Sequence, residues 1–344
     1  MDTPDGTYER KIQLTGGTTY TVSLPKEWAT AQSIDVGDRV RLYDRGDRLL
    51  MTRPDRDEES RSVRISAARC PPAAIARFLT AAYVAGADAV RVEGSPDRED
   101  RAAVGDAVDG LVGLEVATET ETAIVARAML DVGDLSPKQT LTQMENATHR
   151  MHENAVAAAL AGDGTTAGTI RAEDETVDRL FALVAREFQR SLVDVHVDRA
   201  GDALTTFDYY IAARQLERIA DHAVKIAGAA EAIETAPPSA VAEELDRLAG
   251  DARDLVRRAL AEALNGRDLD RLGAVITDAD VVVDDAETLS RRLHEQGVSN
   301  GYALATVVDS ITRTAEYGVN IAEAGVQASL RGSETNDVSP TPSQ

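Results

Sequence analysis

The alternation of apolar and polar positions changes period along the chain, and each change marks a boundary. Over residues 7–53 the period is short. Residues 8–14 and 18–25 read as strands on either side of Thr15-Gly16-Gly17, whose glycines suit a hairpin turn. A short helical stretch follows at 26–32, with Pro25 suited to its first turn. Residues 34–43 and 47–53 alternate again and are joined through Asp44-Arg45-Gly46, so a small β domain is predicted over 7–54. The polar run 54–61 reads as a linker.

Between 62 and 131 strand-like and helix-like stretches interleave. Residues 63–66 and 89–94 read as strands, 73–85 and 98–111 as amphipathic helices, and 113–120 with 122–130 supply one or two further strands. That order predicts a small α/β domain. It holds no phosphate-binding loop or dinucleotide fingerprint, so its expected role is structural or in dimerisation. From Ser136 the period is helical, in six long segments at 137–161, 170–197, 202–234, 239–265, 268–296 and 300–330, punctuated by Gly162, Gly164, Gly201, Pro237-Pro238, Gly266 and Gly297. The closing residues 331–344 are polar with two prolines and are expected to be disordered.

An internal repeat orders the six helices. Residues 216–229 (LERIADHAVKIAGA) align with 311–324 (ITRTAEYGVNIAEA) at an offset of 95, with six of 14 positions identical, Arg218/Arg313 and Ile226/Ile321 among them. Upstream, Ala159-Leu160-Ala161-Gly162 is echoed by Ala263-Leu264-Asn265-Gly266. Two related three-helix bundles are predicted, over 136–235 and 238–330. The expected fold class is multidomain α+β: a β head, a small α/β middle domain and an all-α pair of bundles.

Composition adds a charge asymmetry. The chain carries 59 acidic and 37 basic residues, a net charge of -22, and only four of the bases are lysine: Lys11, Lys26, Lys138 and Lys225. Such an acidic, Arg-rich surface resembles that of salt-loving archaea, where dense carboxylates keep a protein dispersed. Residues 1–56 hold nine bases and nine acids, so the whole excess falls on 57–344, and the two parts are expected to meet different partners. The single Cys70 excludes an intrachain disulfide and reads as a buried structural residue. The N-terminus lacks the charged-then-apolar order of a secretion signal, and no apolar run reaches the roughly 18–20 residues of a membrane span. A cytoplasmic protein without membrane insertion is expected.

The string 216–227 (LERIADHAVKIA) resembles the signature of the PhoU family, and 313–323 resembles its degenerate second copy. The head, through Gly16-Gly17, residues 20–27 (YTVSLPKE) and residues 34–40 (IDVGDRV), is similar to the AbrB/SpoVT class of swapped-hairpin DNA-binding domains. Together the likenesses span about residues 8–330. They imply a regulator of phosphate uptake that pairs as a homodimer through its head, carries no enzymatic activity, and binds a metal ion or multinuclear cluster of iron or zinc, with magnesium or calcium as further candidates.

The residues themselves give these implications candidate sites. Residues four apart share a helix face, so Glu217/Asp221, Asp174/Asp178 and Asp280/Asp284 each project side by side. Like charges so placed cost roughly 0.2–0.5 kcal/mol per pair, and a hard cation reverses that sign. A solvated acidic face has the same spacing. Glu217 and Asp221 lie nearly opposite the stripe of Leu204, Ile211, Ile219, Ile226 and Ile233, and occupy the family's E(D)xxxD positions; in the second repeat Thr312 stands in place of Glu217 and Glu316 in place of Asp221. His222 points to the buried stripe, His149 and His152 read as surface or interbundle residues, and His196 and His294 fall near helix ends. Arg218 and Arg313 lie near the apolar side of their helices, paired with acids or snorkelling. Arg10, Lys11, Lys26, Arg39, Arg41, Arg45 and Arg48 could grip phosphates and read guanine edges, or pair with Asp35, Asp38, Asp44 and Asp47. Two readings of function stand: a DNA-binding regulator, and an adaptor that restrains a phosphate ABC transporter or its signalling partner while the head only dimerises. Nucleophilic catalysis finds no support, since no nucleophile elbow, Cys/His pairing or Walker sequence occurs, and a third reading, a metal-dependent phosphohydrolase, is the least favoured.

Overall fold

The chain's structure is a computed structural model that describes residues 7–44, 49–52, 61–129, 136–192, 204–266, 268–295 and 300–331. The chain divides into two units, Met1–Glu59 and Ser60–Gln344. In the first, β1 (Gln13–Thr15) pairs antiparallel with β2 (Thr19–Thr21) across a turn in which Gly16 and Gly17 take φ of 63° and 78°, a left-handed geometry that side chains resist. The short helix α1 (Lys26–Ala31) leads to β3 (Arg41–Asp44) and β4 (Leu49–Thr52), a second antiparallel pair. None of the described residues of this unit is buried. Ile12, Leu14, Tyr20, Val22, Val36, Leu42 and Leu49 are exposed, Tyr20 at 76%. The expected linker lies outside the described residues except for Arg61, as does the expected disordered tail except for Arg331.

In the second unit, β5 (Ser62–Ser66), α2 (Pro72–Val84), β6 (Ala89–Glu93), α3 (Arg98–Asp109), β7 (Leu114–Glu119) and β8 (Ala123–Ala128) form a four-stranded sheet in the order β5-β6-β8-β7. Only the β5–β6 pair is parallel, as a strand-helix-strand crossover requires. Where one or two strands are expected at the end of this stretch there are two, paired as the β7–β8 hairpin. Ile65, Val90, Val92, Ile124 and Ala126 pack with Ile75, Leu79 and Tyr83 of α2 and Val104 and Val108 of α3. An Asp97/Asp100 capping box starts α3, each carboxylate accepting from a backbone N–H that the first turn leaves free. Cys70 is partly rather than fully buried, at the edge of this core, because the short helical turn that carries it runs along the rim.

The helical expectation matches closely. Six helices follow: α4 (Pro137–Ala161), α5 (Ala167–Ser191), α6 (Thr206–Ala230), α7 (Ser239–Ala261), α8 (Leu269–Glu295) and α9 (Gly301–Arg331). Ser136 caps α4 and Gly162, at φ 66°, ends it; Thr205 and Asp208 form the capping box of α6. The two trios, however, do not keep separate cores. One buried cluster runs from Leu141 to Ala322, because the repeat-bearing helices α6 and α9 pack directly against each other. Gly318 and Gly325 let α7 and the turn after it approach α9: a side-chain carbon at Gly325 would lie 3.0 Å from Ala263.

One buried cation fastens the helices to the sheet layer. Arg186 of α5, 1% exposed, donates from Nη1 to the carbonyls of Tyr83 at 2.6 Å and Ala87 at 2.8 Å, and its guanidinium lies 4.7 Å from the Tyr83 ring centroid. Asp88 stands 3.7 Å from Nη2 and takes a shorter 3.1 Å bond from Arg190. The Tyr83 hydroxyl is buried while donating to the Val112 carbonyl at 2.8 Å, and burial pushes its pKa up to about 12. Arg186→Met keeps the stem but takes a charged donor from both carbonyls, leaving Tyr83 only the Gly86 N–H and Ala87 none among the described residues. A buried group left without a partner costs about 1–3 kcal/mol. We expect roughly 2–5 kcal/mol of destabilisation by urea unfolding, with amide protection lost over 62–129 before it is lost in the helices.

Candidate functional site

The seam between α5 and α6 gathers four of the candidate carboxylates. Asp174 and Asp178 come from α5, Glu217 and Asp221 from α6. The helices are held in register past the seam by aromatic contacts: Phe188 lies 5.0 Å from Tyr210 and 5.5 Å from Phe207 by ring centroid, and Phe181 lies 5.8 Å from Tyr210. Asp178 and Asp221 are exposed, as a surface pair should be. Glu217 and Asp174 are not; both sink into the seam, Glu217 with a side chain only 15% exposed. The expectation that Glu217 stands free on the surface is corrected here: the apolar stripe of α6 faces α4 and α9, so its flank, not open solvent, meets α5.

The electrostatics follow from that burial. Desolvation and then the neighbouring charges of Asp178, Asp221, Glu217 and Glu175 push the Asp174 carboxyl from an ordinary 3.8 up to about 7. Asp178 is raised by desolvation, Asp221 and Glu175. Glu217 is raised chiefly by desolvation, against the opposing pull of Arg214, which donates to its Oε1 at 3.2 Å. Two oxygens of the seam, Asp174 Oδ1 and Glu217 Oε2, are buried with no donor. Oxygen donors that repel one another and lack hydrogen bonds fit a hard cation, or in its absence a proton. Among the described residues no three His, Cys, Asp or Glu side chains stand together as a ready ligand set. The seam therefore fits an ion shared by carboxylate pairs and water better than a closed protein cage.

The second trio differs. Asp280 and Asp284 are exposed on α8, and Glu316 of α9 accepts from Arg313 at 2.7 Å. Among the described residues, the buried, unbonded carboxylate oxygen of this half is Glu262 Oε2, in the turn after α7, and its other oxygen accepts from Arg271 at 2.9 Å. Arg214, placed three residues before Glu217 where a helix brings side chains together, and Glu173, whose Oε2 is also buried without a donor, escaped the sequence reading. The spacing of Arg214 was a usable signal; for Glu173 there was none.

The histidines sort by burial. His152 is fully buried, accepts at Nδ1 from Arg253 at 3.2 Å, and is held neutral by burial and that cation, its pKa near 3. His149 Nε2 donates to the Arg253 carbonyl at 3.2 Å, so both fasten α4 to α7. His222 faces the core as expected and meets Lys225 and Tyr317, each 3.4 Å from Nε2. Burial, with Lys225 next, holds its pKa near 4. Arg218 is exposed with its guanidinium 5.7 Å from the Tyr317 ring, and His294 closes α8. His196 lies outside the described residues.

In the head, Arg10, Lys11, Lys26, Arg39 and Arg41 are exposed, and Arg45 and Arg48 lie outside the described residues. Arg10 donates to the Glu9 carbonyl at 2.8 Å and sits over the Tyr8 ring. Asp38, a candidate partner for these bases, instead accepts from the Asp35 backbone at 2.8 Å.

Comparison with known proteins agrees with this division. The PhoU domain profile matches residues 141–230, which span α4 to the end of α6. The profile described as antidote-toxin recognition MazE, bacterial antitoxin, matches residues 13–60. The fold resembles the crystal structure of PhoU from Pseudomonas aeruginosa, at 21% identity and a TM-score of 0.50 over 57% of this chain and 96% of that one. A phosphate transport system regulatory protein PhoU from Streptococcus pneumoniae also matches, at 16% identity and a TM-score of 0.44 over 58% of this chain and 100% of that one. No curated protein matches.

A carboxyl whose pKa is raised on folding takes up a proton in the native state, so its contribution is intact below 3.8 and is lost as pH climbs toward about 7. With a chelator present, Asp174→Asn, which cannot ionise, should flatten the fall in stability between pH 4 and pH 7; matching wild-type and variant urea midpoints across that range would contradict the seam described here.

Proposed function

We propose that this chain, a PhoU domain behind a MazE-type head, is a cytoplasmic, non-catalytic regulator of phosphate uptake that binds DNA through the head. The reading rests on one observation above others: none of the head's described residues is buried. Strands this short cannot persist with Ile12, Leu14, Tyr20, Val22, Leu42 and Leu49 in water. Each such side chain gains roughly 1.5–3 kcal/mol on full burial, so a second copy of the chain completes the domain. Pairing doubles the basic set of Arg10, Lys11, Lys26, Arg39 and Arg41 and gives it the two-fold symmetry of a palindromic site. The α5–α6 seam is the sensing end of the proposal. Asp174, Asp178, Glu217 and Asp221 would hold a metal ion or cluster there, and the ion would supply the counter-charge that the four carboxylates lack.

Both ends are testable in the full chain. In gel-shift assays on phosphate-transporter promoter duplexes in KCl, Arg39→Ala/Arg41→Ala should weaken binding at least tenfold; unchanged binding would refute the DNA face, and no binding by the wild type would favour the adaptor reading. By elemental analysis, Glu217→Ala/Asp221→Ala should lose the metal that the wild-type protein retains. Equal content would remove the ion site while leaving the DNA reading intact.

A further inference from the structure

The sheet of the second unit has one face against helices and one without them. Strand alternation sends Ile65, Val90, Val92, Ile124 and Ala126 toward α2 and α3. The intervening residues, among them Ser62, Arg64, Arg91, Glu93, Val125, Arg127, Glu115 and Thr118, line the opposite face. Arg64, Arg91 and Arg127 are all exposed there. Arg64 and Arg91 are register partners in the parallel β5–β6 pair, a position in which like charges repel. Arg127 lies on the next strand, opposite Ala89 and Glu115. Arg91 reaches Glu93 at 3.3 Å, both half-exposed. Arg64 and Arg127 have no ion-pair or hydrogen-bond partner among the described residues, although the chain has 59 acidic groups.

We propose that this bare face is a second binding surface for the phosphate backbone of DNA, a proposal that rests on the DNA reading of the head. Guanidinium groups without carboxylate partners suit phosphate oxygens, which they can grip through paired N–H donors. A protein partner is disfavoured because stable protein interfaces centre on buried aromatic or aliphatic anchors, and Val125, already half-buried, is the largest apolar side chain the alternation places here. A second copy is disfavoured for the same want of a large apolar anchor. The face begins at Ser62, shortly after β4 ends at Thr52, so a duplex held by the head is present at high effective concentration for it.

The test compares full-length wild type with Arg64→Ser/Arg127→Ser, two exposed substitutions that remove no internal partner. The probe is a duplex enriched by the wild-type chain from a random-sequence pool. Plots of log affinity against log KCl should lose about two from their slope for each copy on the duplex, and about four for a pair, since each phosphate contact contributes about 0.9, while the preferred sequence stays the same. An unchanged slope overturns the proposal even if the head binds DNA. A change in oligomeric mass by light scattering with no change in slope also overturns it and makes the face a contact between copies. If the wild type enriches no duplex, the DNA reading of the head fails and this inference fails with it.

Discussion

The contact between α6 and α9 constrains most of the rest. Each helix brings the same repeat to it, and the repeats bury Leu216, Ile219, Ala220, Ala223, Ile226 and Ala227 from α6 and Ile311, Ala315, Ile321 and Ala322 from α9 in one core. Half of these ten residues are alanine, which lets the backbones approach closely between the larger side chains. Polar groups fix the register: Asn320 donates to Gln215 at 3.2 Å, and Tyr317 meets both His222 and Arg218. With one side of α6 committed to α9 and α4, a flank of it meets α5. Glu217 sinks into that flank, and Asp221 stands exposed beside it.

That placement turns an ordinary acidic spacing into an unusual one. On an open helix a pair of carboxylates four residues apart is a minor electrostatic cost; in the seam, burial takes away the water that would screen them, and α5 adds two more. The same α5 then runs on to Arg186, whose guanidinium is fixed by the carbonyls of the sheet layer. One helix therefore carries both the unneutralised carboxylates and the attachment to the α/β layer.

Much of this was legible in the sequence. The six helices could be read because their apolar stripes hold period over 23 or more residues and because Gly162, Pro238 and the capping residues Ser136 and Thr205 mark their ends. The repeat identified α6 and α9 as equivalent. Three features could not be read. The merging of both trios into one core depends on which faces meet, and an Ala-rich helix has apolar side chains on more than one face. The burial of Glu217 and Asp174 is set by α5 docking, which no local pattern encodes. Arg186 looked like one of many arginines, since nothing in its neighbourhood indicates that a carbonyl pair a hundred residues earlier awaits it.

The difference between the two trios follows from a single helical turn. In α6, Glu217 lies beside Arg214, which half-neutralises one oxygen and leaves the other buried and bare. In α9 the equivalent position is Thr312, whose hydroxyl donates to the Val308 carbonyl at 3.0 Å, and Glu316 is turned outward onto Arg313. One glutamate replaced by a self-satisfied threonine removes the buried oxygen, and one ion pair removes the free charge. The fold is duplicated, but the bare oxygen of Glu217 is not: among the described residues α9 has no buried carboxylate oxygen without a partner. The second half supplies the surface on which α6 must pack, and thereby part of the geometry that keeps that oxygen buried.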